Sequence, residues 1–376
     1  MKKTLVAALA AAALALSGCS LFKSGSPHDP VALPKLQASA DITEVWKVRV
    51  GGSKGSFLTP AVAGGAVYAA GDDDLYRINA ATGGVAWSSP VKSAVTAGVG
   101  ADGYYAAVGT AKGEVVVFSA EGKELWRRTL SSEMDMPPLV GHDLVIVHTS
   151  DTRVTAFRAK TGEQAWRYQA QMPVLSVRAP REMLFFADGI LVGDASGKLI
   201  GLSLSGKPAL EASISQPSGI TEVERLNDVV GGPLAVNGLL CAATYQGRLT
   251  CMSSQNGMTR WSVKVNAVTG PTADSGAIYV VDAKGVIHAY SQATGAELWK
   301  NETMGYRASR APVPAGRYLA TGDVEGCLHL LDPRTGREVG RSWLSGAVAV
   351  DPAVLGDGAL FQTEEGQVAL IKASGK

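Results

Sequence analysis

The sequence predicts an all-β fold, an eight-bladed β-propeller of four-stranded antiparallel blades. Three observations carry the prediction. A degenerate unit of roughly 40 residues recurs along the chain, and each unit is too small to bury its own apolar faces. Most units contain a Gly followed four residues later by Trp, as in Ala81-Thr82-Gly83-Gly84-Val85-Ala86-Trp87, Lys160-Thr161-Gly162-Glu163-Gln164-Ala165-Trp166 and Ala293-Thr294-Gly295-Ala296-Glu297-Leu298-Trp299. The final unit lacks this Gly-Trp strand, whereas a spare alternating strand with its own Trp46 stands at the other end of the chain.

The elements follow in order. Lys2 and Lys3 precede an apolar stretch from Leu5 to Leu16, too short to span a membrane, so residues 1–18 read as a secretory signal peptide. Leu16-Ser17-Gly18-Cys19 resembles a bacterial lipobox, which implies that Cys19 carries lipid. Several acyl chains together hold a protein nearly permanently on a bilayer. Ser20 and Leu21 replace the Asp of inner-membrane retention signals, implying the outer membrane. Residues 19–41, with Pro27, Pro30 and Pro34, read as a lipidated flexible tether.

The propeller is expected over 42–373. Glu44 to Val50 is expected to be an outer strand that pairs with the last unit and closes the ring, because closure removes open edges. Eight hairpin turns mark the units, at Asp73, Gly113, Thr152, Gly197, Gly247, Gly285, Gly326 and Gly366, each followed by apolar alternation. Seven lead to the second landmark, Gly83, Gly122, Gly162, Gly206, Gly257, Gly295 and Gly336. Leu210 and Gly340 stand where two units would have Trp.

Composition excludes some functions. The chain has 35 Lys plus Arg against 34 Asp plus Glu, a net charge of +1, so nothing marks a nucleic-acid partner. Gly98-Val99-Gly100-Ala101-Asp102-Gly103 matches a dinucleotide fingerprint but leads into a strand, where that motif needs a helix. The five histidines are scattered, and Cys327 and His329 form at most half a metal site, so no metal or cofactor is expected. Cys241 and Cys251 lie on two arms of one hairpin. That placement leaves open a disulfide, in an oxidising compartment, or two packed thiols.

Function on a repeat scaffold is expected where regularity fails. The spacing from the Trp position to the next hairpin turn is 26 residues from Trp87 to Gly113, but 31 from Trp166 to Gly197 and 37 from Leu210 to Gly247. The excess lies at 167–183 and 211–233, two consecutive connections expected to project together. They carry Leu-Ser-Val-Arg at 175–178 and Thr-Glu-Val-Glu-Arg-Leu-Asn-Asp-Val at 221–229. They read either as a contact patch or as two loops packed on each other, and the two can hold together.

From about 44 to 371 the Gly-x-x-x-Trp repeat resembles the quinoprotein-type eight-bladed propellers, in which each outer-strand Trp docks on the neighbouring blade. Together with the lipobox and the two loop sequences, the chain resembles the BamB family of the outer-membrane β-barrel assembly (BAM) machinery. That resemblance implies a non-enzymatic scaffold, lipid-anchored on the periplasmic face of the outer membrane, with one copy in the complex. It implies contact with the BamA POTRA domains through Leu175, Val177, Arg178 and Asp228, and unfolded outer-membrane proteins as candidate clients. The family often has a second Asp two positions after the first; here that residue is Val230. The alternatives are a PQQ-type dehydrogenase, which would need vicinal cysteines and calcium ligands, and a periplasmic lectin or adhesion propeller.

Overall fold

The computed structural model describes residues 29–171, 175–177 and 179–375. The signal peptide, Cys19 and Arg178 lie outside them. Eight four-stranded antiparallel sheets make up the described chain. Blades 1 to 7 run in sequence order from inner to outer strand. Blade 8 takes Ala353–Leu355, Gly358–Gln362 and Gln367–Gly375 from the C-terminus and Ala40–Arg49 from the N-terminus as its outer strand. Closure by an N-terminal strand is as expected. Its pairing runs from Ala40 opposite Gly375 to Arg49 opposite Gln367, slightly beyond 42–373 at both ends.

The segment before that strand is held as well. Val31 N–H donates to the Gly305 carbonyl at 3.0 Å and Ser39 N–H to that of Val339 at 2.9 Å. Arg307 donates to the Val31 carbonyl at 2.9 Å and Arg341 to that of Pro34 at 3.2 Å. Residues 31–39 therefore form a strap along blade 7, and a tether running free to residue 41 is too long. The sequence hid this because the strap's partners are backbone groups and two distant arginines.

The expected alternation gives way in the blade interiors. The second strands Ala66–Gly71, Leu144–Thr149 and Ala277–Val281 are buried at every residue. Neighbouring blades cover both faces, so both faces must be apolar. One hydrophobic cluster, for example, joins Tyr68 and Leu75 of blade 1 to Val108 and Phe118 of blade 2.

The seams explain the Gly-Trp signature. Trp46 donates its indole N–H to the Ala80 carbonyl, Trp87 to Ala120, Trp126 to Ala159, Trp166 to Leu204, Trp261 to Gln292 and Trp299 to Pro333, all at 2.7–2.9 Å. Each acceptor sits in the outer turn of the next blade, so the ring is buried while its polar edge is satisfied. The indole lies flat on that turn's Gly: a Cβ added at Gly162, where φ is +67°, would stand 2.5 Å from the Trp126 ring. The Gly of each repeat thus serves the Trp of the preceding one.

The dinucleotide-like stretch spans the inner strand Val95–Ala101 and the turn into Tyr105–Thr110. A Cβ at Gly100 would fall 1.9 Å from the Pro138 carbonyl oxygen, so this glycine serves inner-strand packing.

Candidate functional site

The two long connections leave the outer strands Gln164–Gln169 and Pro208–Ser213 and enter the inner strands Leu184–Phe186 and Val229–Val236. Both lie on the face that carries the hairpin turns between second and third strands. They meet at Asp228. One carboxylate oxygen accepts from Ser176 Oγ at 2.5 Å and from Val177 N–H at 2.9 Å. Asp228 is fully buried. Burial raises its pKa, against the hydrogen bond from Ser176, the charge of Arg181 and the Val177 amide. The structure therefore places Asp228 as the buried tie between the loops, which matches the reading of two loops packed on each other. Val230 is buried in strand pairing with Ala243.

The first loop is anchored from below. Arg181 pairs with Asp135, whose other oxygen is 2.6 Å from His148 Nδ1. Burial opposes ionisation of Asp135, but His148 and Arg181 outweigh it and hold its pKa below the usual carboxylate range. Gly231 N–H donates to the Pro180 carbonyl at 2.9 Å.

Above these ties the exposed surface mixes aliphatic side chains with Glu222, Glu224 and Arg225. Leu175 is 47% exposed, Ile220 97% and Val223 61%, and Val177 is half-buried beside Leu175. The family resemblance implied Leu175, Val177, Arg178 and Asp228, while loop length had put the stretch from Ile220 to Val229 in the candidate patch without singling out Ile220 and Val223. The available signal was Thr221-x-x-Glu224, a capping box. Glu224 Oε2 accepts from the Ile220 and Thr221 amides at 2.9 and 3.0 Å, while Glu224 N–H donates to Thr221 Oγ1 at 3.2 Å. The resulting turn holds two aliphatic side chains out in solvent.

The remaining candidates serve the scaffold. Cys241 and Cys251 are directly opposed and form a disulfide inside blade 5. Cys327 and His329 do find further ligand types, since Asp323 is close to both and all three are buried. The chemistry is nevertheless that of an ion network. His329 lies 3.2 Å from Asp323 Oδ2 and 2.6 Å from Glu338 Oε1, with Arg307 on Asp323 at 2.6 Å and Arg341 on Glu338. Burial alone would lower the His329 pKa, yet its acidic and thiol partners push it up to about 10. The propeller axis opens into a channel of about 390 Å³ lined largely by prolines and glycines of the inner-strand entries. Its acids are Glu182 and Asp351; burial and then the Asp351 charge push Glu182 up to about 7.

Against known proteins, the family described as outer membrane protein assembly factor BamB matches residues 71–301 and 283–376. A BamB of Burkholderia pseudomallei is 38% identical, over 96% of this chain and 96% of its own length. The crystal structure of BamB from Moraxella catarrhalis superposes with a TM-score of 0.82 at 27% identity, covering 88% of this chain and 99% of that one. Quinohemoprotein alcohol dehydrogenase from Comamonas testosteroni gives a TM-score of 0.68 at 14% identity, covering 88% of this chain and 76% of its own, a likeness of fold alone. The chain belongs to the BamB family.

Proposed function

We propose that this member of the BamB family acts as a scaffold lipoprotein of outer-membrane β-barrel assembly. It is anchored through Cys19 on the periplasmic face and carries out no catalysis of its own. It binds the BamA POTRA domains through the two adjacent loops and supports insertion of barrel proteins, with unfolded barrels as candidate clients. The observation that carries the contact is the paired loops themselves. A buried Asp228 holds them together, and Leu175, Ile220 and Val223 stand exposed above the tie. A preorganised, partly apolar tip with a charged neighbour, Arg178, has the composition of an interface hot spot.

The test is capture of BamA from detergent-solubilised envelope. Leu175→Asp and Arg178→Glu should weaken capture, and Leu175→Asp should leave thermal melting unchanged, since an exposed substitution costs the fold about 0.5 kcal/mol or less. Asp228→Ala should weaken capture and also loosen the loops, read as faster proteolysis near Val177. The swap Arg178→Asp with Asp228→Arg should fail to restore capture, because a buried site cannot accept Arg. Undiminished capture by both single loop variants would move the contact elsewhere on the ring. Separately, Cys19→Ala should block incorporation of a labelled fatty acid; persistent label would refute the anchor.

A further inference from the structure

The seam between blades 4 and 5 contains a cleft of about 580 Å³ at its outer rim, formed by Ser213 to Ser218 on one side and by the third and outer strands of blade 5 on the other. Its lining has no acid. It has Arg248, Lys264 and a series of hydroxyl side chains, including Ser213, Ser218, Thr259 and Ser262.

The two cations are directly opposed in the strand register, Arg248 across from Lys264. Like charges in that relation destabilise a strand pair unless something neutralises them. Blades 3 and 4 also have a cation at this position, and each balances it with an acid. In blade 4 the equivalent Lys198 is 2.5 Å from Glu211, and in blade 3 the equivalent Arg153 is 3.2 Å from Asp151. In blade 5 the residue matching Glu211 is Ser262 and the one matching Asp151 is Gln246. Arg248 reaches only Ser262, with Nε to the hydroxyl at 2.6 Å and Nη2 to the carbonyl at 2.9 Å. Neither Arg248 nor Lys264 has an acidic partner among the described residues.

The same seam also has smaller residues at its crossing positions. At the corresponding seam between blades 2 and 3, the Arg128 guanidinium crosses to the Gly162 carbonyl at 2.9 Å. Between blades 4 and 5 that residue is Ala212, and the neighbouring Trp position is Leu210.

We propose that this cleft binds a phosphate group carried on a larger polar molecule. Arg248 and Lys264 supply the charge, and the Ser218 and Thr259 hydroxyls supply further donors, while those of Ser213 and Thr250 donate to backbone carbonyls of the cleft wall. The volume exceeds that of a bare ion by a wide margin, since one water occupies about 30 Å³ of liquid. The two sources of such a group are a soluble phosphomonoester and a lipid headgroup. The Ser213–Ser218 wall is the start of the second long connection, so the cleft adjoins the proposed BamA contact, but the phosphate reading does not rest on that contact.

The test is isothermal titration of the full chain at fixed ionic strength with glycerol 3-phosphate, and with glycerol as the control. Saturable binding of the phosphate ester but not of glycerol is expected. Arg248→Gln and Lys264→Gln should each weaken it by roughly tenfold or more, a loss of one charged contact. Arg153→Gln, at the balanced position in blade 3, should leave it unchanged. Thermal melting of all three variants separates loss of the site from loss of the fold. Absence of saturable binding, or undiminished binding by the well-folded Arg248→Gln chain, would overturn the proposal. Flotation of the Cys19→Ala chain with phosphatidylglycerol vesicles distinguishes the sources. Arg248-dependent flotation assigns the phosphate to a lipid, and soluble-ester binding without it assigns a free phosphomonoester.

Discussion

Two units lack the docking Trp, and the ring treats the two absences differently. At blade 7 the residue is Gly340, and the start of the closing strand fills the space: a Cβ there would meet the Ala40 carbonyl at 2.8 Å. Blade 8 has no outer turn for a Trp to dock on, because its outer strand comes from the other end of the chain. Arg307, Asp323, His329, Glu338 and Arg341 reinforce the same side. At blade 4 the residue is Leu210, which packs more loosely on the next turn; a Cβ on Gly257 would meet only Leu210 Cδ1, at 3.7 Å. A gap in a repeat is structural where the chain itself fills it. Where it is only loosely filled, beside two long loops and two unbalanced cations, it marks a surface with another task.

The largest test of this contrast is removal of the filling element. Deleting Ala40–Arg49 should abolish soluble monomer, because the Gln367–Gly375 strand then presents an open edge. Deleting residues 1–28 should leave the melting temperature of the remaining chain unchanged. Equal melting of both truncations would break the closure account.

The ionic reinforcement comes next. His329→Leu removes the cationic partner that both buried carboxylates, Asp323 and Glu338, share, and should cost about 3–5 kcal/mol near neutral pH by denaturant unfolding. The wild-type contribution has a defined pH window. The folded pKa is raised, to about 10, above an unfolded value near 6.5. The stabilisation is therefore fully present below about 6.5 and disappears as pH rises through about 10. In His329→Leu this alkaline loss should vanish; an unchanged alkaline profile would show that the network is not what titrates.

Much of this was legible in the sequence. Blade number, closure and the seam residues follow from the Gly-x-x-x-Trp spacing, because each seam must satisfy one indole N–H and clear one Cβ. Loop length also located the candidate contact. What stayed hidden depends on depth. Asp228 and Arg178 look alike as charged loop residues, yet the structure buries Asp228 completely. The strap was illegible because backbone carbonyls hold it, and Pro-rich polar sequence reads as free chain whether or not a buried Arg307 captures it. The unbalanced cations of blade 5 became visible only when register set Arg248 against Lys264 and showed which acids blades 3 and 4 have there.

The seams can next be compared one glycine at a time. Gly162 and Gly257 have nearly the same backbone, φ +67° and +69°. Replacing either with Ala incurs the left-handed penalty of roughly 1–2 kcal/mol. Only at Gly162 does the new methyl also press on an indole, at 2.5 Å, which should add about 1–3 kcal/mol of overpacking. Gly162→Ala should therefore melt well below Gly257→Ala. Equal losses would mean that the blade 4–5 seam is as tightly packed as the others.

The smallest expected effect is the most direct test of why Leu210 is there. The blade 5 turn retains what a Trp needs: Gly257 in the required conformation, and the Ser254 carbonyl at the position where other blades accept the indole N–H. If Leu210 is simply a vacated dock, Leu210→Trp should seat the ring on Gly257 and stabilise the fold by about 0.5–2 kcal/mol, as cavity-filling changes commonly do. It should lower local hydrogen exchange along Pro208–Ser213, while BamA capture through the loops persists. A loss of stability would show that the blades have closed around Leu210 and that the dock no longer exists. A stabilised chain with weaker phosphate binding would connect the two features, since the bulk that completes the seam would then narrow the cleft beside it.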